Sequence, residues 1–276
     1  MAVKVVTDST WDLPPELAEK LGITVVPLSV LFGEEAYKDG VEITREAFFD
    51  RLVNGNVHPK TSQPSVGDFA AVYKELTDQG HEIVSVHIAD KLSGTLNSAR
   101  AAKLDLPEAT ITLVDSATAA LALGLVVKAT AEAAQAGKTH AEVVAVAEDA
   151  AEKTEAYVIL ETLTYLQKGG RIGKAQALIG GLLSVKPILT IKGGEILPHE
   201  KVRSRAKGIA KLKEIAAASA PYAELGVIHE ADSEIVTELV ETLSALTDKP
   251  VLIGKIGAVI GVHAGPDVVG IAFRRA

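Results

Sequence analysis

No cysteine occurs among the 276 residues of the chain. That excludes disulfides, thiolate metal sites and a cysteine nucleophile in one step, and it fits a reducing setting such as the cytoplasm. Aromatic residues make up only 4%, so a core has to be assembled from Ala, Val, Leu and Ile. The net charge of −8 argues against general nucleic-acid binding, which calls for a basic face and stacking aromatics. No apolar run approaches the roughly 20 residues that cross a bilayer. The opening Met-Ala-Val-Lys-Val-Val-Thr-Asp-Ser-Thr lacks the apolar region of a signal peptide. Also missing are a phosphate loop, a Gly-x-Gly-x-x-Gly fingerprint after a strand, and a Gly-x-Ser-x-Gly nucleophile elbow. The seven histidines include no His-x-x-x-His pair, so no zinc or other transition-metal site is expected.

What is present reads as a soluble α/β protein with 47% apolar and 23% charged residues. Short β-branched runs at Val3–Val6, Thr24–Val30, Ile83–Ile88 and Thr110–Val114 predict strands. Thr44–Val53, Ser65–Gln79 and Gly94–Lys103 predict helices between the last three. Ser65 is the N-cap of the best-signalled one, with Asp68 at the third helical position and Val66, Phe69, Ala70, Tyr73 and Leu76 at helical spacing. Such alternation predicts a parallel sheet with covered faces. Ala-rich stretches 117–136 and 140–154 add two helices. The second half predicts strands at Tyr157–Leu160, Lys186–Ile191, Ile196–Val202, Leu225–His229, Val251–Ile256 and Val268–Phe273. Lys192-Gly-Gly-Glu195 forms a hairpin turn, and helices cover Ser204–Ala218 and Ser233–Ser244. A hairpin among helical connections implies a mixed or antiparallel sheet. The expected architecture is therefore two α/β lobes, residues 1–155 and 156–276.

Residues 161–220 differ from the rest in charge. They hold 11 Lys and Arg against 4 Asp and Glu, inside a chain whose remainder is strongly acidic. Such a segment is either offered to an anion or acidic partner, or is a solvated helix face and loop. Within it, Thr162-Leu-Thr-Tyr-Leu-Gln-Lys-Gly-Gly-Arg-Ile-Gly173 presents Arg171 among three glycines, which permit positive φ and close backbone approach. Three polar clusters fall at expected strand ends or connections: Lys60-Thr-Ser-Gln-Pro-Ser65, Leu92-Ser-Gly-Thr95 and Val262-His-Ala-Gly-Pro266. Loops beyond strand carboxyl ends form the ligand crevice of an open α/β sheet, and helix N-termini there suit a carboxylate or phosphate. Thr61 and Ser93 would add hydroxyl donors and His263 a third hydrogen bond. Each hydroxyl alone also suits a plain N-cap, and His263 alone a structural histidine. Asp8, Asp39 and Asp115, near strand or turn ends, are either Mg²⁺ ligands or turn caps. From the residues alone, these features amount to an anion-binding cleft.

Taken together and in order, Val6-Thr-Asp-Ser-Thr10, Tyr37-Lys-Asp-Gly40, Lys60–Ser65, Leu92–Thr95, Val114-Asp-Ser116, Thr164–Gly173, Val185-Lys-Pro-Ile188 and Gly261–Pro266 resemble the motifs of the DegV family. The similarity runs from about residue 3 to the C-terminus. It implies two α/β lobes with a long-chain fatty acid buried between them, as in the fatty-acid-binding subunit of bacterial fatty-acid kinase. Thr61 and Ser93 would hold the carboxylate, with His263 beside it and Ser62, Gly94 and Thr95 in support. A separate ATP-dependent kinase would phosphorylate the carboxylate on its carrier, with Arg171, Arg203 and Arg205 serving kinase docking or phosphoryl transfer. The resemblance implies no catalytic residue, metal or cofactor in this chain, and a cytoplasmic carrier with room for transient contact with a membrane surface. The family commonly has Tyr-Gln where this chain has Leu96-Asn97, an exchange that leaves both hydroxyls in place. The competing expectation is a stand-alone hydrolase or phosphotransferase using Ser93 as nucleophile and His263 as base.

Overall fold

In the computed structural model, which describes residues 2–178, 185–231 and 233–276, the β-branched runs of the first half become strands separated by helices. The order is β1 (Val3–Asp8), α1 (Pro15–Leu21), β2 (Ile23–Val26), β3 (Ser29–Phe32), β4 (Glu35–Lys38), α2 (Arg45–Asn54), β5 (Lys60–Ser62), α3 (Val66–Asp78), β6 (Glu82–His87), α4 (Thr95–Leu104), β7 (Ile111–Asp115), α5 (Ala120–Gln135) and α6 (His140–Lys153). Four of these strands form the expected parallel sheet, in the order β2-β1-β6-β7. The strand expected over Thr24–Val30 divides in two at Pro27, which has no N–H with which to continue a ladder. Beyond the break, β3 joins an antiparallel sheet of order β4-β3-β5 that the sequence pattern does not reveal. Helix α3 starts as its cap signal predicts: Ser65 Oγ accepts from Asp68 N at 3.0 Å, and the Asp68 carboxylate accepts from Ser65 N at 2.8 Å. Its Phe69, Tyr73 and Leu76 are buried against Val6, Val26 and Ile83.

The second half continues with β8 (Thr154–Ile159), α7 (Thr164–Lys168), β9 (Lys186–Lys192), β10 (Glu195–Val202), α8 (Arg205–Ser219), β11 (Tyr222–His229), α9 (Glu234–Ser244), β12 (Leu252–Lys255), α10 (Ala258–Ala264) and β13 (Val269–Arg275). Its strands build one mixed sheet, β10-β9-β8-β13-β11-β12, in which β11 and β12 run parallel and the other pairs antiparallel. The two lobes of the expected architecture are thus a parallel sheet and a mixed sheet, each with its helices. Residues 179–184 of the basic segment lie outside the described residues.

Helix α5 packs against β1 of one sheet and against β8, β11 and β13 of the other. A helix covered on both sides has no polar face to spare, which accounts for its run Leu-Ala-Leu-Gly-Leu-Val-Val. It begins at Ala120 and not at 117, and both Ala117 and Ala120 hold positive φ, 51° and 59°. Positive φ on a residue with a Cβ is strained backbone, and here it sits at the edge of the cavity described next.

Candidate functional site

Side chains alternate faces along a strand, and the six-stranded sheet uses its two faces differently. Ile159, Ile188, Val227, Ile271 and Phe273 point to the face covered by α8 and α9, where they pack with Leu212 and Leu239. Their neighbours Ala156, Val158, Leu189, Ile228 and Ala272 point toward α5 and the parallel sheet. There the walls leave a cavity of about 240 Å³. Ala156 and Ala272 pair directly across β8 and β13, so two of the smallest side chains floor it. Leu121, Ala122, Ile88, Ile191, Ile256 and Val259 complete an aliphatic wall.

Polar residues gather at one end, among them Thr61, Ser62, Gln63, Ser93, Arg171 and His263. Thr61 is held on β5 opposite Val30, in a strand and not in the helix-opening loop the sequence suggests. Its Oγ1 lies 3.0 Å from His263 Nε2 across 202 positions of sequence. Ser93 Oγ accepts from Thr95 N at 3.3 Å and shares a hydrogen with Thr95 Oγ1 at 2.8 Å. The loop that carries Ser93 leaves β6 at a fixed point. Asp8 accepts from Ile88 N and from His87 Nδ1, each at 3.0 Å, and Thr7 Oγ1 donates to Val86 O at 2.8 Å. Gly94 lets the amide of Gln63 approach closely, where a Cβ would displace it, and that amide donates to Ser98 Oγ at 3.3 Å.

His263 is a correction to the expected loop: it sits in the last turn of α10. This short helix escapes the periodicity signal because Ala-Val-Ile-Gly-Val-His-Ala reads equally well as a buried strand. Gly169 explains part of the glycine cluster, because a Cβ there would collide with His263 Nδ1. The imidazole is pushed down to about 4 by burial, then by the charge of Arg171 and by His58. It is therefore neutral at neutral pH. Burial and Lys168 lower His58 in the same direction, and its ring lies 5.9 Å from that of Tyr165. His58, Gln63, Tyr165 and Gly169 shape this end although no sequence signal singles them out, apart from the motifs that contain three of them.

The structure brings Arg171 to the polar end. Arg171 is exposed, with Nε donating to Leu92 O at 3.2 Å and Nη1 to Gly169 O at 2.9 Å. Arg205 donates to Asp267 O at 2.6 Å, and Arg203 is exposed in the turn before α8. Neither lines the cavity. Several cations of the basic segment are already paired: Lys174 with Glu195, Lys186 with Glu161, and Lys213 with Glu238. The hydrolase arrangement is not formed, since His263 bonds Thr61 and Ser93 bonds Thr95. Among the described residues no group of three His, Cys, Asp or Glu is placed to hold a metal ion. Asp8, Asp39 and Asp115 instead accept hydrogen bonds from backbone or side-chain donors. No helix among the described residues is long and apolar enough to cross a membrane.

The DegV family profile, whose members are described as uncharacterised, matches residues 2–276. A DegV domain-containing protein of Clostridium perfringens is 40% identical over 284 residues, covering 100% of this chain and 99% of the relative. Among solved structures, a fatty-acid-binding DegV-family protein from Thermus thermophilus superposes with a TM-score of 0.92 at 35% identity, covering 99% of each chain. A stearic-acid-binding protein from Eubacterium ventriosum gives 0.90 at 31% identity, covering 99% of this chain and 98% of the other.

Proposed function

The chain belongs to the DegV family, and from that premise we propose that it carries one long-chain fatty acid between its lobes, residues 1–155 and 156–276, and presents the carboxylate to a separate ATP-dependent kinase for acyl-phosphate formation. The cavity itself carries this proposal: a largely aliphatic space with Thr61, Ser93, Arg171 and His263 gathered at one end of its walls. Each methylene buried there contributes about 0.8 kcal/mol, so a long acyl chain supplies most of the affinity. The carboxylate then needs only a few donors.

Thr61 and Ser93 are those donors. Neutral His263 with its hydrogen on Nε2 donates to Thr61 Oγ1, which leaves the Thr61 hydrogen free for a ligand oxygen. This tautomer orphans only an acceptor, Nδ1, the milder fault in a buried position. Ser62, Gly94 and Thr95 support the two hydroxyls. Arg171, exposed at the mouth, stands where a transferring phosphoryl group would arrive, and stabilising that charge is where a supplied arginine has its largest effect. Arg203 and Arg205, which do not line the cavity, would serve docking. The carrier works in the cytoplasm and touches a membrane surface transiently when it collects lipid.

The test is native mass spectrometry of the purified protein with stearate, run beside a reconstituted kinase assay. The parent and Arg171→Ala should both carry stearate, while Arg171→Ala loses phosphorylation. A parent protein that takes up no fatty acid would overturn the carrier role. Loss of lipid and phosphorylation in equal measure would return Arg171 to the lipid site.

A further inference from the structure

Two of the sequence motifs, Val6–Thr10 and Tyr37–Gly40, contribute no residue to the cavity wall. Yet each leads to a buried aspartate at the far end of the helix that carries His263. Asp12 and Asp39 are both 6% exposed. Asp12 Oδ1 accepts from Gly257 N at 2.9 Å, and Asp39 Oδ1 accepts from Ala258 N at 3.2 Å. Ser9 Oγ donates to the other oxygen of Asp39 at 2.9 Å, and Asp39 N donates to Leu28 O at 2.9 Å. Both carboxylates are thus anchored in the first half of the chain and grip the first turn of α10 in the second.

A neutral Ser or Asn would satisfy the same N–H groups, whereas a buried carboxylate carries a desolvation cost. The charge has to be explained by what it does to the helix. It opposes the positive N-terminal end of the backbone dipole. It also holds a helix with little freedom elsewhere: a Cβ at Gly261 would sit 2.6 Å from Phe48 and 2.8 Å from Phe49, and Gly169 closes on His263. A shift at Gly257 and Ala258 therefore moves His263, whose Nε2 must stay within reach of Thr61.

We infer that Asp12 and Asp39 are positioning residues for the carboxylate end of the cavity, setting through α10 where His263 meets Thr61. This inference rests on the assignment of Thr61 and His263 to the carboxylate site. It makes the site sensitive to pH. Burial pushes Asp39 up to about 6, against hydrogen bonds from Ser9, Ala258 and Val259 and with help from the charge of Asp8. Burial raises Asp12 well above its ordinary value, against the Gly257 hydrogen bond, with Asp39 and Asp8 adding to the rise and Arg45 opposing it. Asp8 from β1 and Arg45 from α2 are the charged groups that act on the pair. Near neutral pH Asp39 is ionised and grips α10 with charge; in mild acid that grip weakens.

The experiment measures stearate affinity of the full chain at pH about 7.5 and about 5.5, on either side of the Asp39 titration, while NMR follows the His263 imidazole without ligand. At the higher pH, Asp39→Asn should bind about three- to tenfold more weakly than the parent, and Asp39→Ala more weakly still. At the lower pH the Asn variant and the parent should converge. Ser9→Ala, which removes a donor to the ionised form, should move the parent's transition to higher pH. His263 resonances should shift in both Asp39 variants although the mutated position does not touch the ring. Should Asp39→Ala fail to fold, the Asn variant carries the test. Parental affinity at both pH values with unmoved His263 signals in Asp39→Asn would overturn the inference. A parent that binds no stearate, with His263 still responding to Asp39, would overturn the carboxylate assignment and leave the positioning role standing.

Discussion

The two faces of the six-stranded sheet are cut from the same strands, yet one is filled and the other is hollow. On β13, Ile271 and Phe273 point outward and Ala272 inward; on β8, Tyr157 and Ile159 point outward and Ala156 and Val158 inward. Both faces are apolar, so hydrophobicity does not distinguish them. Size does. Protein interiors reach crystal-like density when facing side chains fill the space, and the outer face does so under α8 and α9. Small residues on the inner face give up packing contacts, and with them stability, to leave a space that a ligand can fill.

That contrast can be broken from either side. Phe273→Ala removes a fully buried ring from the filled face and should cost about 3–5 kcal/mol of unfolding free energy in urea titrations, with stearate affinity in the surviving folded protein near the parent's. Ala272→Phe, one residue away, pushes a ring into the hollow face. It should abolish stearate binding while changing stability by no more than about 1–3 kcal/mol. An Ala272→Phe protein that binds stearate as the parent does would mean that the acyl chain runs elsewhere.

Within the hollow, the polar and aliphatic ends can be told apart in the same way. Thr61→Ala or Ser93→Ala each removes one charge-assisted hydrogen bond, worth about 1.5–3 kcal/mol, and should weaken stearate binding by roughly one to two orders of magnitude. Methyl stearate, which has no carboxylate charge, should be much less sensitive to either change. Calorimetry on both ligands decides the matter; equal losses for acid and ester would place the head group elsewhere.

What could be read from the sequence follows the range over which each signal acts. The α3 cap, the Lys192–Glu195 hairpin and the parallel strands are local patterns, and they form where expected. Pro27 splits an expected strand, and the β3–β5 pairing goes unseen because it joins Val30 to Thr61 across β4 and α2. Helices α7 and α10 span 5 and 7 residues, too few for a period of 3.6 to declare itself. The hydroxyls and His263 stand out as motifs, whereas their contact does not, and Arg203 and Arg205 share a segment with Arg171 but not its place. The cavity wall is the least legible part, since an alanine in a strand signals nothing until its neighbours across the sheet are known.

The smallest effect concerns His263, and its sign separates it from the aspartates behind it. Burial, Arg171 and His58 push its imidazole from 6.5 down to about 4. The stability tied to its neutral form is fully present above about 6.5 and is lost as pH falls through about 4. Between pH 7 and 5 that loss amounts to roughly 2 kcal/mol. Asp39 works in the opposite direction: its raised value gives stability that is present below 3.8 and lost as pH rises through about 6. The two overlap in any single melting curve, so the measurement is the difference between the parent and His263→Gln across this range. The variant should lose less stability on acidification, by up to about 2 kcal/mol. Bound stearate should reduce the difference, because a carboxylate beside the ring favours its charged form and opposes the push that burial and Arg171 exert. Parallel stability profiles for parent and variant, with and without stearate, would mean that His263 titrates alike in the folded and unfolded chain.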